Sequence, residues 1–428
     1  MSSSSNVVVQ NIYNAPHLGH AFSAVVKVPS SKSLTNRLLI LQALSTTPPV
    51  LKNVLDSRDA DLMKAAIKKV LSTDKNVEID VGLAGTVMRF VPPFASIFQK
   101  RIRFTGDVEA LKRPMGPIIA ALEDLGVQVL RENSDFLPFT TVSSGKIAGG
   151  KILIDASKSS QFLSALLLVG AKFEDGLIIQ HTGTDEIPSR KHIEMTVELL
   201  RNCGVEVEED LQKNTWKVYP GEIQLHNTVV EPDLSNAAPF LAACLANPDG
   251  GEVSIPNWPK STTQPGALFP EILERLGAKV TLVEEKGVQN MLVQSTGEIR
   301  SVDVNLRSMA ELTPTLAALL ALADEPSIIR GIGHLRGHET DRLYALVTEI
   351  NKIGRTARIG ADNDSIEIAQ MPQNGLHSAV IESYKDHRMA TFGTILGLRI
   401  PDIRVVDIAT TAKTMPGFQA LWEKMLGL

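Results

Sequence analysis

Cysteine is nearly absent from this chain of 428 residues: Cys203 and Cys244 are the only two. Cys203 falls on the apolar side of an amphipathic segment and Cys244 within an Ala/Leu-rich one. Both read as buried apolar fillers, which disfavours a disulfide framework or a thiolate metal site. A reducing, cytoplasmic setting is expected. Aromatics are scarce at 5%, and Lys plus Arg (43) do not outnumber Asp plus Glu (48). Without a basic stripe interleaved with aromatics, a general nucleic-acid binder is excluded. No apolar run reaches the length of a membrane span before Pro, Gly or a polar residue interrupts it, so no membrane segment is expected. The opening MSSSSNVVVQ lacks the basic start and apolar centre of a signal peptide and reads as a frayed tail. GxGxxG and GxxxxGK(S/T) phosphate loops are missing, as is a GxSxG elbow. Dinucleotide, nucleotide-hydrolysing and serine-hydrolase readings lose their main support.

What is present is repetition. Six short polar clusters each run into a long apolar stretch, and the markers Ser33, Thr86, Ser160, Ser235, Glu311 and His387 lie 53, 74, 75, 76 and 76 residues apart. A second series agrees, since Gly126, Gly204, Gly277, Gly354 and Gly427 each close a charged amphipathic segment at intervals of 78, 73, 77 and 73. Fixed periodicity of this kind means repeated structural units. In each unit a polar start leads into an uncharged Ala/Leu-rich helix, too apolar all round to face water. A β-branched strand segment follows, then an amphipathic helix ending at glycine and a further strand. The fold class is therefore α/β, with two helices and several short strands per unit. Six units divide most simply into two domains of three, at about residues 30–231 and 232–428. The leader run AFSAVVKVP, within residues 1–29, is expected to complete the second domain. Two crossings near Pro29 and Pro232 would then form a hinge beside a cleft.

Cations stand at the starts of these elements. Lys32 and Ser33 open a helix, where free N–H groups and the dipole already favour an anion, and Arg37 follows one turn on. Arg89 stands in a similar relation to Gly85 and Thr86. Arg113 before Pro114 is expected at a helix entrance, Arg342 shares a face with Glu339, and Arg388 and Lys413 are expected to open the last two helices. One such residue is ordinarily a solvated surface charge. Repeated in several units, against the helix dipole and in a chain of net charge −5, the set points to a concentrated positive cleft for a polyanionic small molecule. His334 and His338 beside Glu339 have an HxxxH spacing, but flanking glycines make them loop residues, and no metal site is expected.

At this point the motifs carry a resemblance. SKSLTNR at 31–37, LAGTVMR at 83–89, KRP at 112–114, SSQF at 159–162, HETDRL at 338–343, DHRMA at 386–390 and TAKTMP at 411–416 stand in the order found in the 5-enolpyruvylshikimate-3-phosphate synthases. The resemblance runs from about residue 25 to the C-terminus. It implies a two-lobed enolpyruvyl transferase fold of six βαβαββ units, three per lobe. It also implies transfer of the enolpyruvyl group of phosphoenolpyruvate to the 5-hydroxyl of shikimate 3-phosphate with release of phosphate, by a monomer needing no cofactor.

Carried over motif by motif, the resemblance assigns Lys32, Gly85, Thr86, Arg113, Gln161, Arg342, Arg388 and Lys413 to phosphoenolpyruvate. It assigns Lys32, Ser33, Arg37, Ser159, Ser160, Gln161, Ser189, Glu311 and His338 to shikimate 3-phosphate, with Arg37 forking the carboxylate. Glu311 is the implied base at the 5-hydroxyl, and Glu339 and Lys32 are implied at the methylene carbon and the departing phosphate. The chain departs from the commonest family pattern at Glu311 (usually Asp), Leu83 (usually Asn), His338 (usually Lys), His334 (usually Asn) and His192 (often Tyr). Arg190 or Lys191 is the expected source of the charge missing at His338. LAGTVMRFVPP with HLRGHETDRL resembles actinobacterial members, and Gly85, in place of the alanine of tolerant members, implies sensitivity to glyphosate. Two alternatives stand beside this reading. The sister transferase acting on UDP-N-acetylglucosamine usually has Lys-Asn at the first motif and a cysteine in the loop before Arg-Pro, where this chain has Lys32-Ser33 and no cysteine. A non-catalytic polyanion binder would keep the arginines without needing Glu311, Glu339 and Lys32 together.

Overall fold

The computed structural model describes residues 11–47, 49–285, 287–337 and 339–428. The serine-rich start and His338 lie outside them. Among the described residues four sheets repeat one pattern, seen most simply in the third unit. Gly150–Ile154 pairs in parallel with Leu177–His181, which pairs antiparallel with Thr215–Val218, and Val207–Asp210 forms the outer edge. The helix Gln161–Gly170 connects the parallel pair, and Lys191–Asn202 precedes the antiparallel one, giving βαβαββ. The same strand order recurs in the sheets that begin with Asn76–Asp80, Asp303–Asn305 and Phe22–Val25. In the last of these, the strand from AFSAVVKVP lies parallel to Gly251–Ile255, more than 220 residues away along the chain. The two remaining sheets are smaller and are also completed from a distance. Leu51–Lys52 pairs with Thr228–Val229, and Val380–Ile381 with Arg404–Val406, which Ile12–Asn14 then extends.

Two hydrophobic cores form. One gathers buried side chains from Leu34 to Val230, the other those from Tyr13 to Val26 and from Leu234 to Leu426. At the centre of each lie three apolar helices: Lys32–Leu44, Gly85–Ser96 and Gln161–Gly170 in the first, Leu234–Ala246, Thr313–Leu322 and His387–Gly397 in the second. Every residue of Leu234–Ala246 and of Thr313–Leu322 is buried. Each leucine so buried contributes about 1.5–3 kcal/mol over remaining exposed, which is why these two segments carry no charge. The outer helices are amphipathic, and the five glycines of the second series end them with positive φ, at 82°, 79°, 110°, 87° and 79°. A side chain there would be strained, so the helix stops and the chain turns into the next strand.

The chain passes between the two cores twice, side by side. Ser31 donates its N–H to the Glu231 carbonyl and Asp233 donates to that of Pro29, each at 2.8 Å. Two positions differ from the sequence expectation. Arg113 follows the 3-10 turn Ala110–Lys112, and the helix begins only at Gly116, with Pro117 in its first turn. Lys413 ends the 3-10 helix Ile408–Lys413 and does not open Phe418–Leu426, because Pro416 and the left-handed Gly417 intervene. Both cysteines are buried and unpaired.

Candidate active site

The six inner helices, or the turns leading into them, direct their N-terminal ends at one cleft of about 870 Å³. Its walls include Lys32 and Ser33, Gly85 and Thr86, Ser160 and Gln161, Ser235 and Asn236, Glu311, and His387 and Arg388, one group from each repeat. The caps show why these ends hold their shape. Ser31 Oγ accepts the Leu34 N–H, Asp233 Oδ1 accepts that of Asn236 at 2.9 Å, and Asp386 Oδ1 accepts that of Arg388 at 2.9 Å. The remaining N–H groups and the positive dipole ends favour an anion.

Arg37, Arg89, Arg113, Arg342 and Arg388 add full charges to the same cleft. Burial lowers the Arg37 guanidinium to about 9. Burial together with the neighbouring Arg113 lowers Arg89 far below the usual arginine range, and burial with Arg342 lowers Arg388. Such mutual crowding of desolvated cations is relieved by a bound anion. Arg342 is better compensated, with Nε 2.7 Å from Asp386 Oδ2 and Nη2 3.0 Å from Glu339 Oε2. Glu339 also receives Lys413 Nζ at 2.7 Å. Burial alone would raise the Glu339 carboxyl, but Lys413, Arg342 and Arg113 outweigh it and hold the group well below the usual carboxylate range. Lys413 therefore meets the site through Glu339 and does not itself line the cleft.

This pairing has a pH signature. A carboxylate whose folded pKa is depressed contributes stability above its unfolded value, here 4.5, and loses it as pH falls toward the folded value. The difference in urea midpoint between the native chain and Glu339→Gln is expected to be constant from pH 8 to 6 and to shrink as pH drops below about 4.5. Urea titrations across that range measure it.

Glu311 presents a carboxylate of another kind. Oε1 accepts from Ser235 Oγ at 3.3 Å, whereas Oε2 is buried with no hydrogen-bond partner among the described residues. Lys32 Nζ lies 3.2 Å from Asp59 Oδ2, a buried carboxylate at the start of the helix Arg58–Leu71. Gly85 packs closely: a Cβ there would sit 3.2–3.3 Å from both Nη atoms of Arg113 and from Gln161 Oε1.

Most residues singled out in the sequence meet in this cleft: Lys32, Ser33, Arg37, Gly85, Thr86, Arg113, Ser159, Ser160, Gln161, Ser189, Glu311, Glu339, Arg342 and Arg388. Arg37 is already engaged. Its donors reach Thr196 Oγ1, the Ser33 carbonyl, Ser164 Oγ and the His192 carbonyl at 2.8–3.1 Å, leaving one Nη1 N–H, so a two-pronged carboxylate fork is not free in this conformation. Neither Arg190 nor Lys191 is among the residues that line the cleft. Arg190 faces the Trp216 ring and Asn214, and Lys191 pairs with Glu194 at 2.7 Å. Burial lowers both His192 and His334, the latter to about 4, so both are neutral at pH 7. Leu83 is buried, and it is its carbonyl that accepts from Arg113 Nη1 at 3.3 Å. Sequence reasoning missed Asp59, Asp386 and Arg307. Asp386 stood inside a quoted motif, whereas Asp59 opens an amphipathic helix and looks like an ordinary first-turn carboxylate.

Solved structures with this architecture include an EPSP synthase from Acinetobacter baumannii, with a TM-score of 0.78 at 22% identity. Another is the enolpyruvyl transferase NikO from Streptomyces tendae, with a TM-score of 0.72 at 15% identity. Each comparison covers 97% of this chain and 98% of the other. The fold is thus that of the two-lobed enolpyruvyl transferases. The family model of EPSP synthase (3-phosphoshikimate 1-carboxyvinyltransferase) matches residues 17–422, and the chain belongs to that family. Proteins named 3-phosphoshikimate 1-carboxyvinyltransferase from the actinobacteria Kocuria rhizophila and Bifidobacterium longum are each 45% identical. The first alignment covers 96% of this chain and 95% of the relative, the second 97% and 98%. These relatives favour neither the sugar-nucleotide transferase nor a non-catalytic binder, and the chain is an enzyme of small-molecule substrates. Among the described residues no helix is long and apolar enough to cross a membrane.

Proposed function

We propose that this chain joins phosphoenolpyruvate to the 5-hydroxyl of shikimate 3-phosphate by addition and elimination, with release of phosphate. The observation that carries the reading is the convergence of six helix N-terminal ends, seven arginines and the differently held carboxylates of Glu311 and Glu339 in one cleft. The two substrates together bring two phosphates and two carboxylates, which answer that excess of positive potential. Residues 30–231 are proposed to bind mainly shikimate 3-phosphate, and residues 1–29 with 232–428 to supply the base and much of the phosphoenolpyruvate site. Closure about the paired crossings then assembles the site and excludes water.

In this reading the free Oε2 of Glu311 takes the proton of the attacking hydroxyl. Lys32, held by Asp59, gives its proton to the methylene carbon in the addition, and the arginines carry the charge of the departing phosphate. Glu339, kept ionised by Lys413 and Arg342, takes the proton back from the methyl group in the elimination. The arginines stabilise the charge of the tetrahedral adduct. Phosphate release from phosphoenolpyruvate, measured with shikimate 3-phosphate or UDP-N-acetylglucosamine in separate reactions, tests the proposal. Release only with shikimate 3-phosphate is expected, and release only with the sugar nucleotide would overturn it. Gly85→Ala pushes on Arg113 and Gln161, and weakening one charge-assisted contact raises KM for phosphoenolpyruvate about tenfold or more, with shikimate 3-phosphate affinity little changed. Steady-state kinetics with each substrate varied in turn checks this, and the native chain is expected to lose turnover in millimolar glyphosate.

A further inference from the structure

Arg307 is a cleft residue for which the reaction scheme above has no use. It stands four residues before Glu311 and reaches across to the other lobe. Its Nη2 donates to the Glu186 carbonyl at 2.8 Å, and its Nε lies 3.2 Å from Glu186 Oε2. Its own carbonyl accepts the N–H of Ser189 at 3.1 Å. On its home side Nη1 is 3.7 Å from Asp364 Oδ2, while Asp364 Oδ1 accepts the Gly333 N–H at 2.6 Å. One side chain thus ties the 186–189 strap of the first lobe to the loop of the second lobe that carries His334.

The strap needs such a tie. Ser189 has φ of 50°, a left-handed conformation that costs a non-glycine residue free energy and persists only where its surroundings enforce it. Its amide is satisfied by a carbonyl of the opposite lobe, so opening the cleft removes the partner that helps hold the Ser189 side chain toward the ligand. The neighbouring cations cannot replace this tie, because Arg190 is turned to Trp216 and Lys191 to Glu194. Arg307 is 27% exposed and keeps contact with the cleft, so it is also placed to feel an anion there.

We propose that Arg307 is the positioning residue that clasps the Ser189 strap across the cleft and thereby couples capture of the phosphorylated acceptor to lobe closure. This rests on the proposed reaction.

The test uses Arg307→Ala and Arg307→Lys in the full chain, with Arg358→Ala as a comparison that removes an exposed arginine paired with Glu367 outside the cleft. For Arg307→Ala the dissociation constant of shikimate 3-phosphate by calorimetry, and its KM, are expected to rise about tenfold or more, with kcat at saturation within about threefold of native. The contraction on ligand binding, read by small-angle X-ray scattering, is expected to need correspondingly more ligand. Arg307→Lys, which restores the charge, is expected to recover part of the affinity, and Arg358→Ala to leave the contraction midpoint unchanged. Unchanged acceptor affinity in Arg307→Ala would overturn the proposal, as would a loss in kcat with no change in KM. The native chain is measured alongside: absence of phosphate release there would sink the proposed reaction, whereas release in the native chain with an unaffected Arg307→Ala variant would sink only the clasp.

Discussion

Glu311→Gln is expected to lower turnover by about 10²- to 10⁴-fold, the range for removing a positioned general base, while shikimate 3-phosphate binding stays within a few-fold of native. The substitution keeps the size of the side chain, and its amide oxygen can still accept from Ser235 Oγ, the partner Oε1 has at 3.3 Å. What disappears is proton affinity at the second oxygen, which is buried without a partner among the described residues. A buried, unsatisfied carboxylate oxygen costs stability, and an incoming hydroxyl is the group that would satisfy it. Stopped-flow or steady-state phosphate release gives the rate and calorimetry the affinity. Turnover within about threefold of native would remove Glu311 from the base role. A parallel loss of affinity and rate would make it a binding residue instead.

Lys32→Met is expected to have an effect of comparable size on turnover, about 10²-fold or more, together with a loss of stability that Glu311→Gln does not show. Lys32 is the ion partner of Asp59 at 3.2 Å, and Asp59 is buried. Removing the cation leaves that carboxylate desolvated and alone, a loss of about 1–3 kcal/mol after allowing for the partial exposure of Lys32. Adding Asp59→Asn to Lys32→Met removes the stranded charge and should restore most of the urea midpoint without restoring turnover. If the double variant recovered activity as well, Lys32 would be a structural partner of Asp59 and no part of the chemistry. If neither variant lost turnover, the acid role would fall to another group.

Much of the architecture was legible in the sequence because it rests on local, repeated signals. An uncharged stretch such as LAACLA cannot face water, a glycine closing an amphipathic segment is a helix stop, and repetition at about 75 residues counts the units. The clustering of charge was legible for a related reason, since cations opposing helix dipoles in several units are not what stability alone selects. Less legible was the local geometry around prolines: Arg113 and Lys413 each lie outside the helix expected to begin at them, because a 3-10 turn ends at or just before each and Pro114 and Pro416 delay the helices to Gly116 and Phe418.

By itself, then, the sequence determined the α/β class, the six units, the family and the residue types that gather at the cleft, all of which follow from periodicity, polarity and motif order. The tertiary structure alone decided the partners. That Asp59 holds Lys32, that Asp386 and Glu339 share Arg342, that Arg37 is occupied by neutral acceptors, and that Arg307 crosses to Glu186 are contacts between residues 3 to 159 positions apart. Hydrogen bonds and ion pairs act over a few ångströms, so which charge is spent on the protein and which is left for a ligand depends on how the chain brings distant segments within that range.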